Sequence, residues 1–282
     1  MQLLDGKALA LKKRAALAEK TAQLLAEEGL KPCLVVVLVG ENPASQVYVR
    51  NKEKAAIAAG FESRVLRYPD SLTEEELLEL LAELNQDTGV HGILVQLPLP
   101  SQIREDLVLE AIDPAKDVDG FHPFNVGRLW TGDPLRVPST PAGIMALLAE
   151  YGINPAGKKA VVIGRSNIVG KPMAEMLLAA DATVTIAHSK TENLAQLASE
   201  ADILVVAIGR GHFVGSDFVK EGAVVIDVGM NRNAEGKLIG DVDFEAVKDK
   251  AAFLTPVPGG VGPMTIAMLL EQTFQAAVGS RN

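Results

Sequence analysis

The chain has a single cysteine, Cys33, among its 282 residues, so it cannot form an internal disulfide bond. One free thiol is ordinary for a protein of a reducing compartment, and we expect a cytoplasmic location. The four histidines are scattered through the sequence, and none has a spacing typical of a zinc site. We therefore expect neither a disulfide framework nor a bound metal.

Long hydrophobic runs are absent as well. Apolar segments such as 33–39 and 203–208 are far shorter than the ~20 residues that span a bilayer. The N-terminal residues carry charges where a signal peptide needs an uninterrupted apolar core. The 36 acidic residues outnumber the 27 basic ones, which gives a net charge of −9. This balance disfavours binding to nucleic acid or to an anionic membrane, and we expect neither as a partner.

The apolar pattern predicts strands that alternate with helices along almost the whole chain. Strand-like runs occupy 33–40, 64–68, 92–97, 160–164, 183–187, 203–209 and 223–229. Helices are predicted at 6–28, up to Gly60, after a cap at Ser71 or Thr73, from Gly170, at 192–200 and from Met264. Strands separated in this way pair in parallel through right-handed crossovers. With the length, and with a Pro-, Gly- and Asp-rich linker predicted at 113–141, the pattern indicates two α/β domains.

A glycine turn joins a predicted strand to a predicted helix at 164–172, where the sequence is GRSNIVGKP. Such a turn brings backbone N–H groups and a helix N-terminus to a pyrophosphate. The pattern departs from Gly-x-Gly-x-x-Gly, because Ser166 occupies the second glycine position and Gly170 comes one residue late. Taken alone, it is compatible with a dinucleotide site or with a tight turn of any α/β protein.

The next strand discriminates between NAD and NADP. Ser189 follows this strand, at the place where an NAD enzyme would have a carboxylate against the ribose 2′-hydroxyl. The Ser189 hydroxyl and the Arg165 guanidinium can both donate to a 2′-phosphate, which predicts NADP. The alternative is that Arg165 is a solvated surface charge. Gly229 and Met230 follow a later strand and are either neighbours of the nicotinamide or simple turn residues.

The first half of the chain contains several polar residues at positions suited to chemistry. Tyr48 and Lys52 lie at i and i+4 of a predicted helix, on one face, where burial would lower the pKa of the amine. Pairs of this kind also occur as ordinary surface pairs. Gln96 ends a predicted buried strand, as a functional group or as a satisfied core amide. Asp117 and Asp119 are either turn formers or ligand-holding carboxylates.

A loop at 255–265 precedes the predicted last helix and reads TPVPGGVGPMT, with three glycines and three prolines in eleven residues. Proline restricts the backbone, whereas glycine permits close approach and unusual dihedral angles. The combination is typical of a fixed loop whose backbone approaches a ligand.

Together these motifs resemble the bifunctional methylenetetrahydrofolate dehydrogenase/methenyltetrahydrofolate cyclohydrolase family. The resemblance covers nearly the whole chain and keeps the order of the family's motifs. These motifs are SxxYxxxK at 45–52, VQLPLP at 95–100, KDVDG at 116–120, GRSxIVGxP at 164–172, HSKT at 188–191 and PVPGGVGPMT at 256–265. The last is the most specific of them.

The resemblance implies an N-terminal folate-binding catalytic domain at 1–140, a Rossmann-type NADP domain with a parallel sheet at 141–263, and a C-terminal helix at 264–282 that packs back on the first domain. An active-site cleft is expected between the domains, and a homodimer is expected through the nucleotide domains. The implied chemistry belongs to one-carbon metabolism, which serves purine biosynthesis. NADP⁺ takes a hydride from 5,10-methylenetetrahydrofolate, and water then converts the 5,10-methenyl product to 10-formyltetrahydrofolate.

The resemblance also assigns roles to individual residues. Lys52 is the general acid/base of hydrolysis, Tyr48 positions the ring system, and Gln96 tunes Lys52. Asp119 holds the pterin, whose 2-amino and N3 hydrogens match a carboxylate. Further residues are expected to contact the ligands, namely Leu97, Pro258, Gly259 and Gly260 for folate and Gly164, Arg165, Ser166, Ser189, Gly229 and Met230 for NADP.

Three alternatives stay open at this point. The chain could be a dehydrogenase without hydrolytic activity, a non-catalytic NADP- or pterin-binding regulator, or an amino-acid or hydroxy-acid dehydrogenase on a similar scaffold. Lys52 and Gln96 argue against the first, because hydride transfer has little need for a tuned amine. A turnover assay with the folate substrate distinguishes the bifunctional enzyme from the other two alternatives.

Overall fold

The structure is a computed structural model that describes residues 1–280, so residues 281 and 282 of the predicted C-terminal segment 264–282 lie outside the described residues. The chain divides into two compact units. The first unit comprises Leu11–Val137 and the segment from Ile266 onward, and the second comprises Met1–Ala10 and Pro138–Thr265. Residues 1–10 therefore belong to a different unit from the residues that follow them, and the segment from Ile266 belongs to a different unit from the residues that precede it.

The first unit is built on a three-stranded parallel sheet of order β3-β2-β4. Its strands are β2 (Cys33–Val39), β3 (Glu62–Tyr68) and β4 (Gly92–Val95). Its helices are α1 (Gly6–Glu28, which begins in the second unit), α2 (Pro43–Ala58), α3 (Glu74–Gln86), α4 (Glu105–Ala111), α5 (Pro123–Trp130) and most of α10 (Val261–Gly279).

The central strand β2 is buried along its whole length, because helices cover both faces of the sheet. Alternate side chains face opposite sides, as the pleat requires. Leu34 and Val36 belong to a cluster with residues of α2 and α10, including Leu269. Val35 belongs to a second cluster that includes Leu77 of α3. The end of β4, which is followed by Gln96, is therefore supported by packed side chains on both faces of the sheet.

The second unit contains a six-stranded parallel sheet of order β1-β11-β8-β7-β5-β6. Its strands are β1 (Gln2–Leu3), β5 (Lys159–Ile163), β6 (Thr183–Ala187), β7 (Ile203–Val206), β8 (Val224–Asp227) and β11 (Phe253–Leu254). An antiparallel pair joins β9 (Asn231–Arg232) to β10 (Leu238–Ile239). The helices are α6 (Ser139–Glu150), α7 (Gly170–Ala179), α8 (Leu194–Ala198) and α9 (Phe244–Val247), with a 3₁₀ turn at Ser216–Phe218.

The chain order of the six-stranded sheet reverses beside β5. From β5 the chain passes to β6 on one side, and β7 then pairs with β5 on the other. In open parallel sheets, ligands bind beyond the carboxyl ends of the strands at such a switch point. The turn that begins at Gly164 therefore lies at the expected place for a nucleotide.

The predicted α/β class and parallel pairing are confirmed. Helix 6–28 and strand 183–187 have the predicted bounds, and Thr73 caps α3 through a capping box with Glu76. The strand predicted at 203–209 is shorter and ends at Val206. The N–H groups of Ile208 and Gly209 donate to the Asp241 side chain instead of to a neighbouring strand. The last helix begins at Val261, three residues earlier than predicted.

The predicted linker at 113–141 contains the boundary between the two units, at Val137 and Pro138, and it also contains a helix, α5. His122 accepts a hydrogen bond from the Phe124 backbone through Nδ1 over 3.0 Å, and Pro123 occupies the first helical position. Cap and proline together start a helix in a segment whose composition alone indicates a loop.

Some negative findings concern the whole described chain. Within residues 1–280, no helix combines the length and apolar character needed to cross a membrane. The same residues contain no group of three or more His, Cys, Asp or Glu side chains that could hold a metal ion. Cys33 is free, and burial raises the pKa of its thiol to about 11.

Candidate active site

Lys52 lies on the buried face of α2 and is only 8% exposed. The helix starts at a defined point, since the Asn42 side chain accepts hydrogen bonds from the Ala44 and Ser45 backbone and Pro43 follows the cap. Burial lowers the pKa of the Lys52 amine, and the negative charge of Asp119 opposes this shift. Tyr48 lies one turn earlier on the same helix and is half-buried.

Gln96 follows β4 directly, and its amide is held from two sides. Its Nε2 donates to the Leu97 carbonyl over 2.7 Å, so its Oε1 is free to accept from Lys52 Nζ over 3.1 Å. Its backbone N–H donates to the Val37 carbonyl, which fixes the chain against β2. The hydrogen-bond partner of the Gln96 side chain is therefore a buried amine. Leu97 contributes its carbonyl to this arrangement.

Asp119 is presented by a turn that Asp117 organises. The Asp117 carboxylate accepts hydrogen bonds from the Gly120 and His122 backbone N–H groups and from the Asn125 side chain, over 2.8–3.0 Å. Asp117 is 2% exposed, and Gly120 has φ +73°, a conformation that suits glycine. Of the two aspartates, Asp117 is therefore the one that forms the turn.

The same turn is anchored to its surroundings by two long side chains. Lys116 Nζ donates to three carbonyls at the end of α3, those of Leu84, Asn85 and Asp87. Gln272 of α10 is 4% exposed and donates through Nε2 to the Val118 carbonyl over 3.0 Å. The peptide that leads to Asp119 is thus fixed by elements from both ends of the first unit.

These residues form a compact acid/base group in the first unit. Burial raises the pKa of Asp119, while the positive charge of Lys52 lowers it. An amine with a lowered pKa can accept a proton near neutrality and return it, which is the requirement for general acid/base catalysis. The structure brings Lys52, Gln96 and Asp119 into interaction, and it places Tyr48 on the same helix as Lys52.

In the second unit, the turn after β5 contains two glycines that pack against backbone. A side chain on Gly164, which has φ +125°, would place Cβ 2.2 Å from the Ala207 carbonyl oxygen. A side chain on Gly170 would place Cβ 2.2 Å from the Gly164 carbonyl oxygen. Ser166 Oγ accepts hydrogen bonds from the Val169 and Gly170 N–H groups at the start of α7. The glycine turn predicted from the sequence is therefore a closely packed junction between β5 and α7.

The pairing of β5 with β6 brings the two predicted 2′-phosphate residues to matching positions. Ile163 pairs with Ala187, and Arg165 and Ser189 each follow two residues later. The Gly164 N–H donates to the Ala187 carbonyl over 2.9 Å, which ties the two loops together. Both Arg165 and Ser189 are exposed, so their donor groups are open to a ligand.

Gly229 and Met230 follow β8 in a segment controlled by two buried aspartates. Asp227 accepts hydrogen bonds from the N–H groups of Gly229, Asp241 and Val242. A side chain on Gly229 would place Cβ 2.2 Å from the Asp241 nitrogen, so this glycine is required by packing whatever it contacts in a ligand. Met230 is 44% exposed.

The loop with Pro258, Gly259 and Gly260 belongs to the second unit, whereas the other predicted folate residues belong to the first. It is held by the first turn of α1. Lys7 N–H donates to the Gly259 carbonyl over 2.8 Å, and Gly259 has φ +111°. A side chain on Gly6 would place Cβ 1.8 Å from the Gly260 carbonyl oxygen. The loop geometry therefore depends on a glycine at the other end of the chain.

Sequence reasoning missed several residues that organise the site. Gly6, Gln272 and Asp241 were not singled out, and each acts across a long sequence separation. A signal was present for Asp241, since Gly-Asp-Val-Asp at 240–243 follows the strand predicted at 223–229. For Gly6 and Gln272, the sequence offers no local sign of their partners.

Comparison with known families gives a match for each part of the chain. Residues 4–119 match the catalytic-domain model described as "Tetrahydrofolate dehydrogenase/cyclohydrolase, catalytic domain". Residues 138–281 match the model described as "Tetrahydrofolate dehydrogenase/cyclohydrolase, NAD(P)-binding domain".

Individual relatives agree along nearly the whole chain. The Streptococcus pneumoniae "Bifunctional protein FolD" is 68% identical over 277 residues, which cover 98% of this chain and 97% of the relative. The crystal structure of FolD methylenetetrahydrofolate dehydrogenase/cyclohydrolase from Campylobacter jejuni is 54% identical, with a TM-score of 0.97 and 99% coverage of both chains. The Trypanosoma brucei enzyme, solved with NADP cofactor and inhibitor, is 40% identical, with a TM-score of 0.94 and coverage of 99% and 98%.

Proposed function

Because this chain belongs to the tetrahydrofolate dehydrogenase/cyclohydrolase family, we propose that it catalyses both of the reactions in that name. It is a bifunctional enzyme of folate one-carbon metabolism. It oxidises 5,10-methylenetetrahydrofolate to the 5,10-methenyl form with NADP⁺ and hydrolyses that product to 10-formyltetrahydrofolate. The hydrogen bond between buried Lys52 and Gln96 is the observation that carries the hydrolytic half.

The second unit fits NADP. The turn between Gly164 and α7 is assigned to the pyrophosphate, because its tight backbone permits close approach of a ligand, and Ser166 Oγ accepts from the Gly170 N–H at the start of that helix. Exposed Arg165 and Ser189 offer donors for the 2′-phosphate, and Gly229 with Met230 are assigned to the nicotinamide. When bound, NADP⁺ accepts the hydride.

For hydrolysis, Lys52 supplies and removes protons. With an ordinary lysine pKa, only roughly one amine in 3000 is neutral at pH 7, so the lowering by burial is what makes the base usable. The neutral amine accepts a proton from water as the water oxygen bonds to the cationic bridge carbon. The resulting ammonium donates that proton to N5 as the carbon–N5 bond breaks. The hydroxyl proton leaves to solvent, and the formyl group remains on N10.

Gln96 and Asp119 act on Lys52 and on the substrate. Gln96 Oε1 holds the amine in one direction, because its own Nε2 is fixed on the Leu97 carbonyl. Asp119 is assigned to the pterin, whose adjacent N–H groups match the two carboxylate oxygens. Its charge also limits how far the pKa of Lys52 falls. Tyr48 is assigned to the orientation of the pterin ring.

Hydride transfer makes different demands on the chain. It needs no proton acceptor, so the protein's contribution is to hold the bridge carbon in position. We assign this task to Tyr48, Asp119 and the loop of Pro258, Gly259 and Gly260. A dehydrogenase without hydrolytic activity would have no use for a buried amine of lowered pKa, which favours the bifunctional assignment over that alternative.

Three broader assignments accompany this function. We propose domains at 1–140 for folate and 141–263 for NADP, with the helix of 264–282 on the first domain. We propose a homodimer through the nucleotide domains, supported by β6 at a sheet edge with Ile186 36% exposed and by Leu178 of α7 at 52%. We propose a cytoplasmic location and a role toward purine biosynthesis. Sedimentation velocity tests the dimer.

One spectrophotometric experiment tests the two activities together. The enzyme is mixed with 5,10-methylenetetrahydrofolate and either NADP⁺ or NAD⁺, and the absorbance of reduced cofactor and of the methenyl compound is followed. We expect rapid reduction of NADP⁺, slower reduction of NAD⁺, and enzyme-dependent decay of the methenyl compound. Reduction without faster methenyl decay would leave a dehydrogenase only, and no response to folate would overturn the proposal.

A further inference from the structure

A second buried carboxylate, Asp241, organises the loops at the ends of β7 and β8. It is 0% exposed and lies after β10 in the sequence. Its oxygens accept four hydrogen bonds, which come from the backbone N–H groups of Ile208 (2.7 Å), Gly209 (3.0 Å) and Arg210 (2.7 Å) and from Asn231 Nδ2 (2.8 Å). Two carboxylate oxygens offer about four acceptor positions, so these four donors saturate the group.

The three backbone donors form a concave anion site that is filled from within the chain. Gly209 has φ +65°, and successive N–H groups around a left-handed residue converge on one point. In other proteins such a nest binds a phosphate or another anion of a ligand. Here the anion is the chain's own Asp241, so these N–H groups set the path of the loop and do not serve as phosphate donors.

Asp241 is itself held from behind by Asp227. The Asp241 and Val242 N–H groups donate to Asp227 over 2.9 and 3.0 Å, and the Gly229 N–H donates to the same carboxylate over 2.8 Å. The Asp227 N–H in turn donates to Thr255 Oγ1 over 2.7 Å. The loops that follow β7 and β8 are therefore connected through Asp241 and Asp227, and these hydrogen bonds restrict the movement of both loops.

We propose that Asp241 is a positioning residue for NADP: its carboxylate holds Ile208–Arg210 and Asn231 in the single arrangement in which the adjoining loop, with Gly229 and Met230, receives the cofactor. These loops leave the carboxyl ends of β7 and β8, the edge of a parallel sheet where nucleotides bind. Asp241 is fully buried, so it acts through the backbone that it fixes. The inference rests on the NADP assignment given above.

The test replaces the carboxylate by an amide of the same shape. In Asp241→Asn, an NH₂ group must face one set of N–H donors, so the loop loses about half of its anchoring. Because hydrolysis of the methenyl compound uses no NADP, it reports separately on the rest of the enzyme. We expect the dissociation constant for NADP, measured by fluorescence titration without turnover, to rise at least tenfold. The hydrolysis rate stays within twofold.

Asp243→Asn is the matched control. Asp243 lies two residues away and caps α9 by accepting from the Ala246 N–H, a role that asparagine performs equally well. This variant loses the same charge from the same segment, and we expect unchanged affinity for NADP.

Asn231→Ala gives a milder version that keeps the buried charge and all three backbone donors. We expect about a threefold rise in the NADP dissociation constant, and this variant decides the matter if Asp241→Asn does not yield folded protein. Unchanged NADP affinity in the folded variants would overturn the proposal. So would a parallel loss of NADP binding and hydrolysis, which would mark a purely structural role. Failure of the wild type to turn over folate would instead overturn the proposed function, since NADP binding is measured without turnover.

Discussion

Lys52 donates a hydrogen bond from Nζ to Oε1 of Gln96 over 3.1 Å, and this contact joins the buried face of α2 to the end of a buried strand. The amide cannot rotate freely, because its Nε2 is bonded to the Leu97 carbonyl. Gln96 therefore presents a neutral acceptor to an amine whose pKa is lowered by burial. A neutral acceptor orients the amine without adding the negative charge that would keep it protonated.

Gln96→Glu replaces that neutral acceptor by a carboxylate. An opposite charge at this distance favours the ammonium form, so the pKa of Lys52 should rise by about one unit or more. We expect the acid limb of the hydrolysis pH–rate profile to move upward equally, with roughly a tenfold loss at pH 7 and recovery at higher pH. Gln46→Glu places the same charge elsewhere on α2 and should leave the profile unchanged. A uniform loss at every pH would contradict the account.

Arg165→Ala tests the assignment of the 2′-phosphate. A charge-assisted hydrogen bond is worth about 1.5–3 kcal/mol, so the KM for NADP should rise by roughly tenfold to a hundredfold. The KM for NAD should change by less than threefold, because NAD has no phosphate at that position. Steady-state kinetics with both cofactors measure the ratio. Equal increases for the two cofactors would refute the assignment.

Gly6→Ala tests the dependence of the glycine–proline loop on the first turn of α1. The added methyl would meet the Gly260 carbonyl oxygen at 1.8 Å, so the loop must shift. We expect at least a fivefold rise in the KM for methylenetetrahydrofolate and a loss of about 1–3 kcal/mol in the free energy of unfolding. The NADP dissociation constant should stay within twofold.

Gly127→Ala supplies the matched control for this substitution. Gly127 lies within α5, and a Cβ there meets nothing within 4 Å. We expect unchanged kinetics and equal or slightly greater stability, because alanine favours a helix over glycine by about 1 kcal/mol. If Gly6→Ala lowers stability without changing the folate KM, the contact is a packing contact only.

The sequence could predict those parts of the site that lie within one local pattern. Helical spacing paired Tyr48 with Lys52, and the end of a buried apolar run placed Gln96 at the edge of the sheet. The alternation of strands and helices gave the class and the parallel pairing. Residue roles came from the family resemblance, because periodicity identifies a buried face and carries no information on what that face binds.

The remaining features depend on contacts between distant segments. The four donors to Asp241 come from the loop after β7 and from the first residue of β9, and their convergence follows from strand order, which one sequence does not determine. Gly6 meets Gly260 from the opposite end of the chain. The strands β1 and β11 have two residues each, too few for a periodic signal. Tertiary packing decides such features, and local propensity does not.

Asp227 gives a pH-dependent contribution to stability. Burial is the main cause that raises its pKa from 3.8 to about 6, and the neighbouring Asp241 charge adds to it. The folded state therefore binds the proton more tightly than the unfolded state. The contribution is fully present below pH 3.8 and is lost as the pH rises through about 6, by roughly 3 kcal/mol in total.

Asp227→Asn removes this titration. The substitution also disturbs three backbone hydrogen bonds, but that cost does not change with pH. Urea unfolding at pH 4 and pH 7 should show the wild type losing roughly 2 kcal/mol relative to the variant, since part of the total change lies below pH 4. A difference between the two proteins that stays constant over this range would show that Asp227 does not titrate there.

The most direct test of the account follows methenyltetrahydrofolate in the Lys52→Met variant, which keeps an unbranched side chain out to Cε and removes the amine. With methylenetetrahydrofolate and NADP⁺, we expect the variant to form the methenyl compound while its decay falls to the rate without enzyme. In the wild type the same compound should decay as it forms. Wild-type decay in the variant would contradict the assignment of proton transfer to Lys52.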